Sequence, residues 1–140
     1  MATSKDLDDL ARAFAELIGL VPAVSQTAAP TIAASIAKQF DDGRDAYGNT
    51  WASLAVATIQ KGRSPPPLTD TGAMKASVKV EARGSDLVAS VDDDPARFHQ
   101  FGTKNMPARP VLPTVDVPSE WAEALDQAGA QVLKTALRNT

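Results

Sequence analysis

Residues 77–91 read SVKVEARGSDLVASV, and this stretch decides the fold. Val78 and Val80 alternate against Ser77, Lys79 and Glu81, a period of two that belongs to an extended strand with one apolar face. Leu87, Ala89 and Val91 repeat the alternation against Val88 and Ser90, and the intervening ARGSD has the Gly, Ser and Asp of a tight turn. The reading is an antiparallel β-hairpin. Helical periodicity flanks it on both sides, so the class is α+β: N-terminal helices, a small antiparallel sheet built on the hairpin, a short helix and a C-terminal helix.

Working outward, residues 5–18 place Leu7, Leu10, Phe14, Leu17 and Ile18 on one helical stripe. Ser4 is the expected N-cap, Asp6, Asp8 and Asp9 suit the positive end of the helix dipole, and Gly19 is the expected stop. A second helix is expected over residues 27–41, with Pro30 in its first turn, Ile32, Ile36 and Phe40 at four-residue spacing, and Asp41, Asp42 and Gly43 ending it. Residues 43–71 read mainly as loop, because GRDAYGNTW and GRSPPPLTDTG are rich in Gly, Pro, Asn and Asp. Within that loop, residues 52–60 carry a short helical pattern. Pro65, Pro66 and Pro67 form a polyproline segment, either a spacer or an arm reaching a neighbouring subunit. Asp70 or Thr71 caps a turn through Met74.

Beyond the hairpin, FHQFGTKNMPARPVLP at residues 98–113 fits no periodic element. A short helix over residues 95–101, carrying Phe98 and Phe101, stops at Gly102 and passes into an exposed polar loop. The chain is then expected to return as an extended strand after Pro107 and Pro110, with Val111 and Leu112 in it. The last helix spans residues 119–138. Ser119 is its expected cap, Trp121, Leu125, Ala128 and Val132 form its stripe, Glu120 and Glu123 lie in its first turn, and Lys134 and Arg138 lie in its last.

Composition narrows the functions. A chain of 140 residues with 44% hydrophobic and only 5% aromatic content suits one domain with a thin core, so stability is expected to lean on assembly. There is no run of about 18 apolar residues to span a bilayer and no signal-like start, so a soluble protein made in the cytoplasm, with no membrane partner, is expected. The absence of cysteine removes disulfides, thiolate metal sites and cysteine nucleophiles. A net charge of −3 argues against a general DNA-coating surface, although one basic loop could face a phosphate.

Taken singly, the chemical constellations are weak. His99 is the sole histidine, and no serine or orienting carboxylate is fixed beside it by spacing, so it reads as a polar partner near a core aromatic or at a subunit contact. Asp92, Asp93 and Asp94 could hold a hard cation with His99 nearby, but they lack the glycine and distal glutamate of a calcium loop and read as a solvated hairpin end. GRSPPPLTDTG lacks the Gly-Lys-Ser/Thr ending of a phosphate cradle. Trp51, with Tyr47 in the same loop, reads as an anchor to the core or to an interface. Lys104, Arg109 and Lys75 are ordinary solvated charge by default, and a patch for DNA or an acidic partner otherwise. No cofactor or metal is expected.

Four segments in order carry a resemblance: YGNTWASLAVAT, PLTDTGAMKASVKV, FHQFGT and MPARPVLP. Their order resembles that of the tailed-bacteriophage neck and tail-completion proteins, the group of the Mu-like virion morphogenesis proteins and the HK97-type minor tail proteins. In that group G..W..L, L..TG.L..S, HQFG or EFGT, and ARPFL segments follow one another. Met74 stands here for the usual leucine, Val111 for the usual phenylalanine, and ASLA for a proline-containing form; all are conservative packing changes. The match runs over about residues 40–113.

The resemblance implies a structural virion protein and no enzyme. It implies a small α+β subunit of a homo-oligomeric, hexameric ring at the head–tail junction, between a tail terminator or tail tube protein and a head-side connector or head-closure protein. Duplex DNA would pass through it. A tail terminator or head-closure ring is the alternative. The carried-over structural and interface residues are Trp51, Thr71, Gly72, His99, Phe101, Gly102, Arg109 and Pro110, with Lys104 added from the basic loop. Arg109 is expected to lock the following strand by a charge-assisted hydrogen bond. Outside this class stand a small metal-dependent enzyme using His99 with Asp92 to Asp94, and a DNA-binding module using Lys104 and Arg109.

Overall fold

The computed structural model describes residues 3–55, 67–68 and 72–139. Helix α1 spans Ser4–Gly19 and α2 spans Val21–Asp42. A one-turn helix, α3, spans Ala73–Ala76, followed by strands β1 (Val78–Arg83) and β2 (Asp86–Val91), a short α4 (Ala96–Phe101) and α5 (Ser119–Arg138). The α+β class is confirmed.

The two strands form an antiparallel hairpin in the register Val78↔Val91, Val80↔Ala89 and Ala82↔Leu87. Those pairs put every apolar residue of the alternation on one face, and Val78, Val80, Leu87, Ala89 and Val91 pack against the core. Gly84 takes φ 59° as the first of two turn residues, which the right-handed strand twist favours in a two-residue hairpin.

Helix α2 is the hub. Its buried face carries Ser25, Ala28, Ala29, Ile32, Ile36, Gln39 and Phe40, and the hairpin and α5 both pack on it. The Ser25 hydroxyl donates to the Ser85 carbonyl at the hairpin turn (3.1 Å). At the other end, Ser35 Oγ donates to Glu120 Oε2 (2.7 Å) and Arg44 pairs with Glu120 (3.5 Å), so α5 starts beside the C-terminal end of α2 and runs antiparallel to it. The core is small: Ala28, Ile32, Ile36, Phe40, Trp51, Met74, Val111, Ala124 and Ala128. Lys75, beyond this core, pairs with Asp41 at 2.8 Å.

Several boundaries differ from the sequence reading. Thr3, not Ser4, caps α1: its hydroxyl accepts from the Asp6 N–H while the Asp6 carboxylate accepts from the Thr3 N–H, a reciprocal capping box. These hydrogen bonds, backbone first, hold the Asp6 carboxyl below its ordinary pKa. Gly19 ends α1, but Leu20 is the whole junction and α2 restarts at Val21, six residues before the expected Thr27. Pro30 therefore lies inside a helix and not in its first turn. It and Gln26 are on the exposed side, where water can take the carbonyl that proline leaves without a donor. With α1 and α2 read together, Ser4–Asp42 contains a window long and apolar enough by length and composition to cross a membrane, contrary to the expectation of none. Ala28, Ala29, Ile32 and Ile36 of this segment are buried against the core, while 22% of the apolar window as a whole is buried.

Gly72 at φ 72°, not Asp70 or Thr71, is the N-cap of α3. Pro118 precedes α5 as its N-cap, and Ser119 is the first helical residue. Residues 52–55 begin no helix; the remainder of that reading, with Pro65, Pro66, Asp70 and Thr71, lies outside the described residues. The strand expected after Pro107 does not form either: the hairpin is the whole sheet among the described residues.

Helix α1 contains no buried residue. Leu7, Leu10, Phe14, Leu17 and Ile18 are all about half exposed or more. Phe40→Ala should therefore cost about 3–5 kcal/mol in urea unfolding at low protein concentration, whereas Phe14→Ala should cost less than about 0.5 kcal/mol. Equal losses would mean that α1 is packed in the subunit.

Candidate functional site

Residues 98–118 carry four prolines, Pro107, Pro110, Pro113 and Pro118, none of which has an N–H to give a strand ladder. From Pro110 onward the backbone takes its partners from side chains instead. The reversal starts at Gly102, with φ 73° and ψ 173°, a region that essentially only glycine enters. A Cβ there would sit 2.9 Å from the Ala108 nitrogen and 3.0 Å from the Met106 carbonyl oxygen. A tight turn follows, closed by Thr103 N–H to the Met106 carbonyl (3.0 Å) and Met106 N–H to the Thr103 carbonyl (3.2 Å). It returns the chain so that the Arg109 N–H donates to the His99 carbonyl at 2.6 Å. The FHQFG and ARP segments are thus one structure, and Gly102 is what lets them meet.

Gln100 holds the returning chain at three points. Its Oε1 accepts from the N–H groups of Val111 (2.9 Å) and Leu112 (3.0 Å), and its Nε2 donates to the Leu112 carbonyl (2.8 Å). From α2, Gln39 Nε2 donates to the Val111 carbonyl (2.9 Å). Trp51 Nε1 donates to the Pro110 carbonyl (2.8 Å), and its ring meets Phe40 edge-on at 5.7 Å. Farther along, the Tyr47 hydroxyl accepts from the N–H groups of Thr114 (3.0 Å) and Val115 (3.1 Å) and donates to the Asp116 carbonyl (2.7 Å).

The Tyr47 and Trp51 loop is itself built from its own sequence. Asp45 Oδ1 accepts from the Tyr47 and Asn49 N–H groups (both 2.9 Å), and the Trp51 N–H donates to the Gly43 carbonyl (2.8 Å), closing the loop at its base. Gly43 takes φ 66° to end α2 and turn into it.

Arg109 is buried, with 7% of its surface exposed. Its Nε donates to the Ala52 carbonyl (2.7 Å) and an Nη donates to the Ser53 carbonyl (2.9 Å). Burial lowers its pKa from the ordinary value, and it remains a cation. The expected charge-assisted bonds therefore exist, but they pin residues 52–53, because no strand follows for them to lock. The three cations do not gather into the alternative basic patch, and the default of solvated charge fails for Arg109, which is buried, while Lys75 pairs with Asp41 and Lys104 sits exposed in the turn after Gly102.

Of the residues singled out in the sequence, Trp51, His99, Gly102, Arg109 and Pro110 come together in this pinned loop. Gly72 caps α3, Phe101 is 79% exposed, and Thr71 lies outside the described residues. Gln39 and Gln100 were missed. The available signal was a glutamine beside Phe40 on the buried face of α2, and another between Phe98 and Phe101. Asp92, Asp93 and Asp94 border an open hollow with Pro95, Arg97 and Phe98. Among the described residues no group of three acidic or histidine side chains could hold a metal ion.

The pinned loop is fastened to a small core of this α+β chain, and Phe98, Phe101, Val115 and Val117 lie exposed around it. The chain belongs to the phage virion morphogenesis family, whose model matches residues 3–139. That match covers both terminal helices as well as the four central segments. No curated protein and no solved structure matches the chain.

Gly102→Ala should destabilise the protein by about 2–4 kcal/mol through the forbidden backbone region and the clash with Ala108. Gln100→Ala, which strands three backbone groups, should cost about 1–3 kcal/mol. Chemical denaturation checks both, and losses below about 0.5 kcal/mol would contradict the pinned-loop description.

Proposed function

We propose that this protein is a non-catalytic subunit of a homo-oligomeric ring at the head–tail junction of a tailed bacteriophage, where it completes the tail and joins it to the head-side connector. Membership of the virion morphogenesis family supports a phage assembly role. The observation that carries the finer reading is α1: a helix with an apolar stripe and no buried residue is a subunit element waiting for a neighbour. The small core agrees, since burial withheld from the monomer is regained on assembly.

The tail tube or terminator protein would meet one face of the ring and the connector or head-closure protein the other. A hexamer follows from the resemblance noted in the sequence. With a net charge of −3, the ring would let duplex DNA pass without holding it, because like charges repel. The metal-enzyme alternative has no support in the geometry, since Asp92 to Asp94 and His99 make no metal-holding group among the described residues.

A phage carrying a deletion of this gene should accumulate filled heads and unattached tails, and the wild-type gene in trans should restore infectious particles. Purified virions should contain the protein near the neck. Joined, infectious particles from the deletion, or virions without the protein, would refute the proposal.

A further inference from the structure

Two helix surfaces of the subunit carry exposed apolar side chains, and they match each other. On α1, Leu7, Leu10, Phe14 and Leu17 follow a three-four-three spacing, the seam of a two-helix coiled contact. They are 49–59% exposed. On α5, Gly129, Leu133 and Leu137 line one stripe at four-residue spacing; Leu133 is 42% and Leu137 is 64% exposed.

Gly129 lies inside a helix, where glycine is a poor former, and a Cβ placed on it would touch nothing within 4 Å. Packing within the subunit therefore gives no reason for glycine there. A notch that lets a large side chain approach the helix backbone does give one.

Charge selects between possible partners. Helix α1 has four acids, Asp6, Asp8, Asp9 and Glu16, against Lys5 and Arg12. Residues 127–138 of α5 have Lys134 and Arg138 and no acid. Pairing α1 with α1 sets acid against acid, and an anionic lipid surface would be repelled by the same acids. Pairing α1 with the end of α5 sets acid against base and, if the helices run antiparallel, opposes their dipoles.

We infer that the apolar stripe of α1 in one copy docks antiparallel on the Gly129–Leu133–Leu137 stripe of α5 in the next copy, with Phe14 over the Gly129 notch. This rests on the ring reading above and identifies its subunit contact. The lengths agree: Leu7 to Phe14 covers about 10.5 Å of helix and Gly129 to Leu137 about 12 Å. The contact uses two different surfaces, so it propagates from copy to copy and closes into a ring when the rotation allows.

The chain has no cysteine, which makes the test direct. Leu10→Cys and Leu133→Cys in one chain should give, on mild oxidation, a ladder of disulfide-linked species from dimer upward, both in purified protein and in virions. Each single variant should give no ladder. Gly129→Leu should leave the subunit folded, with an unchanged or higher Tm, and should abolish the ladder when placed in the double-cysteine chain.

Dimers from Leu10→Cys alone would show α1 pairing with α1 and overturn the inference. Cross-links from Leu10→Cys to a different virion protein, or binding of the chain to phosphatidylglycerol vesicles with no ladder, would overturn it too. Protein that enters virions without forming a ladder would refute this contact and leave the ring reading standing. Protein absent from virions that also forms no ladder in solution would refute both.

Discussion

Proline decides how residues 98–118 are held. Pro107, Pro110, Pro113 and Pro118 cannot donate to a ladder, so a chain that must still return to the core has to find its partners among side chains. Gln39, Gln100, Trp51 and Tyr47 supply them, with bonds to backbone groups of Pro110, Val111, Leu112, Thr114, Val115 and Asp116. Val111 then enters the core at 1% exposure, beside residues of α2 and α5. Without those bonds, burying this backbone would cost more than the valine returns.

The same arrangement ties distant parts of the sequence. Arg109 reaches the carbonyls of Ala52 and Ser53, while Trp51 reaches back to Pro110, so the loop after α2 and the loop after α4 fix each other. Both rest on α2, which also carries the hairpin and α5. The outcome is a small packed body with α1, about 24 Å long, continuing from one end of its central helix with none of its residues buried. A subunit of this shape has less to gain from folding alone than from meeting its neighbours.

Much of the fold was legible in the sequence, and what was not has physical causes. The hairpin read correctly because its alternation is strict and its turn has glycine first, so one register alone buries the valines. The start of α2 was misplaced because Pro30 was read as a first-turn proline, whereas Pro22 occupies the first turn and Pro30 is tolerated inside the helix on its wet side. The strand expected at Val111 and Leu112 failed because short apolar runs between prolines look extended whether or not a neighbouring strand exists. In the site, Gly102 and Trp51 stood out by residue type. Gln39 and Gln100 did not, since a glutamine's role depends on which backbone groups the tertiary fold brings to it. Arg109 was recognised as a hydrogen-bonding cation, but its target 56 residues away could not be read from spacing.

The most direct test of this account is residue-resolved amide hydrogen exchange at Val111 and Leu112, whose N–H groups are held by the Gln100 side chain. Protection close to that of Ile36 in the centre of α2 is the predicted result, because opening these bonds would expose buried backbone together with the Val111 side chain. Exchange at the rate of an open surface loop would show that the prolines leave this segment unfastened, and would contradict the pinned loop.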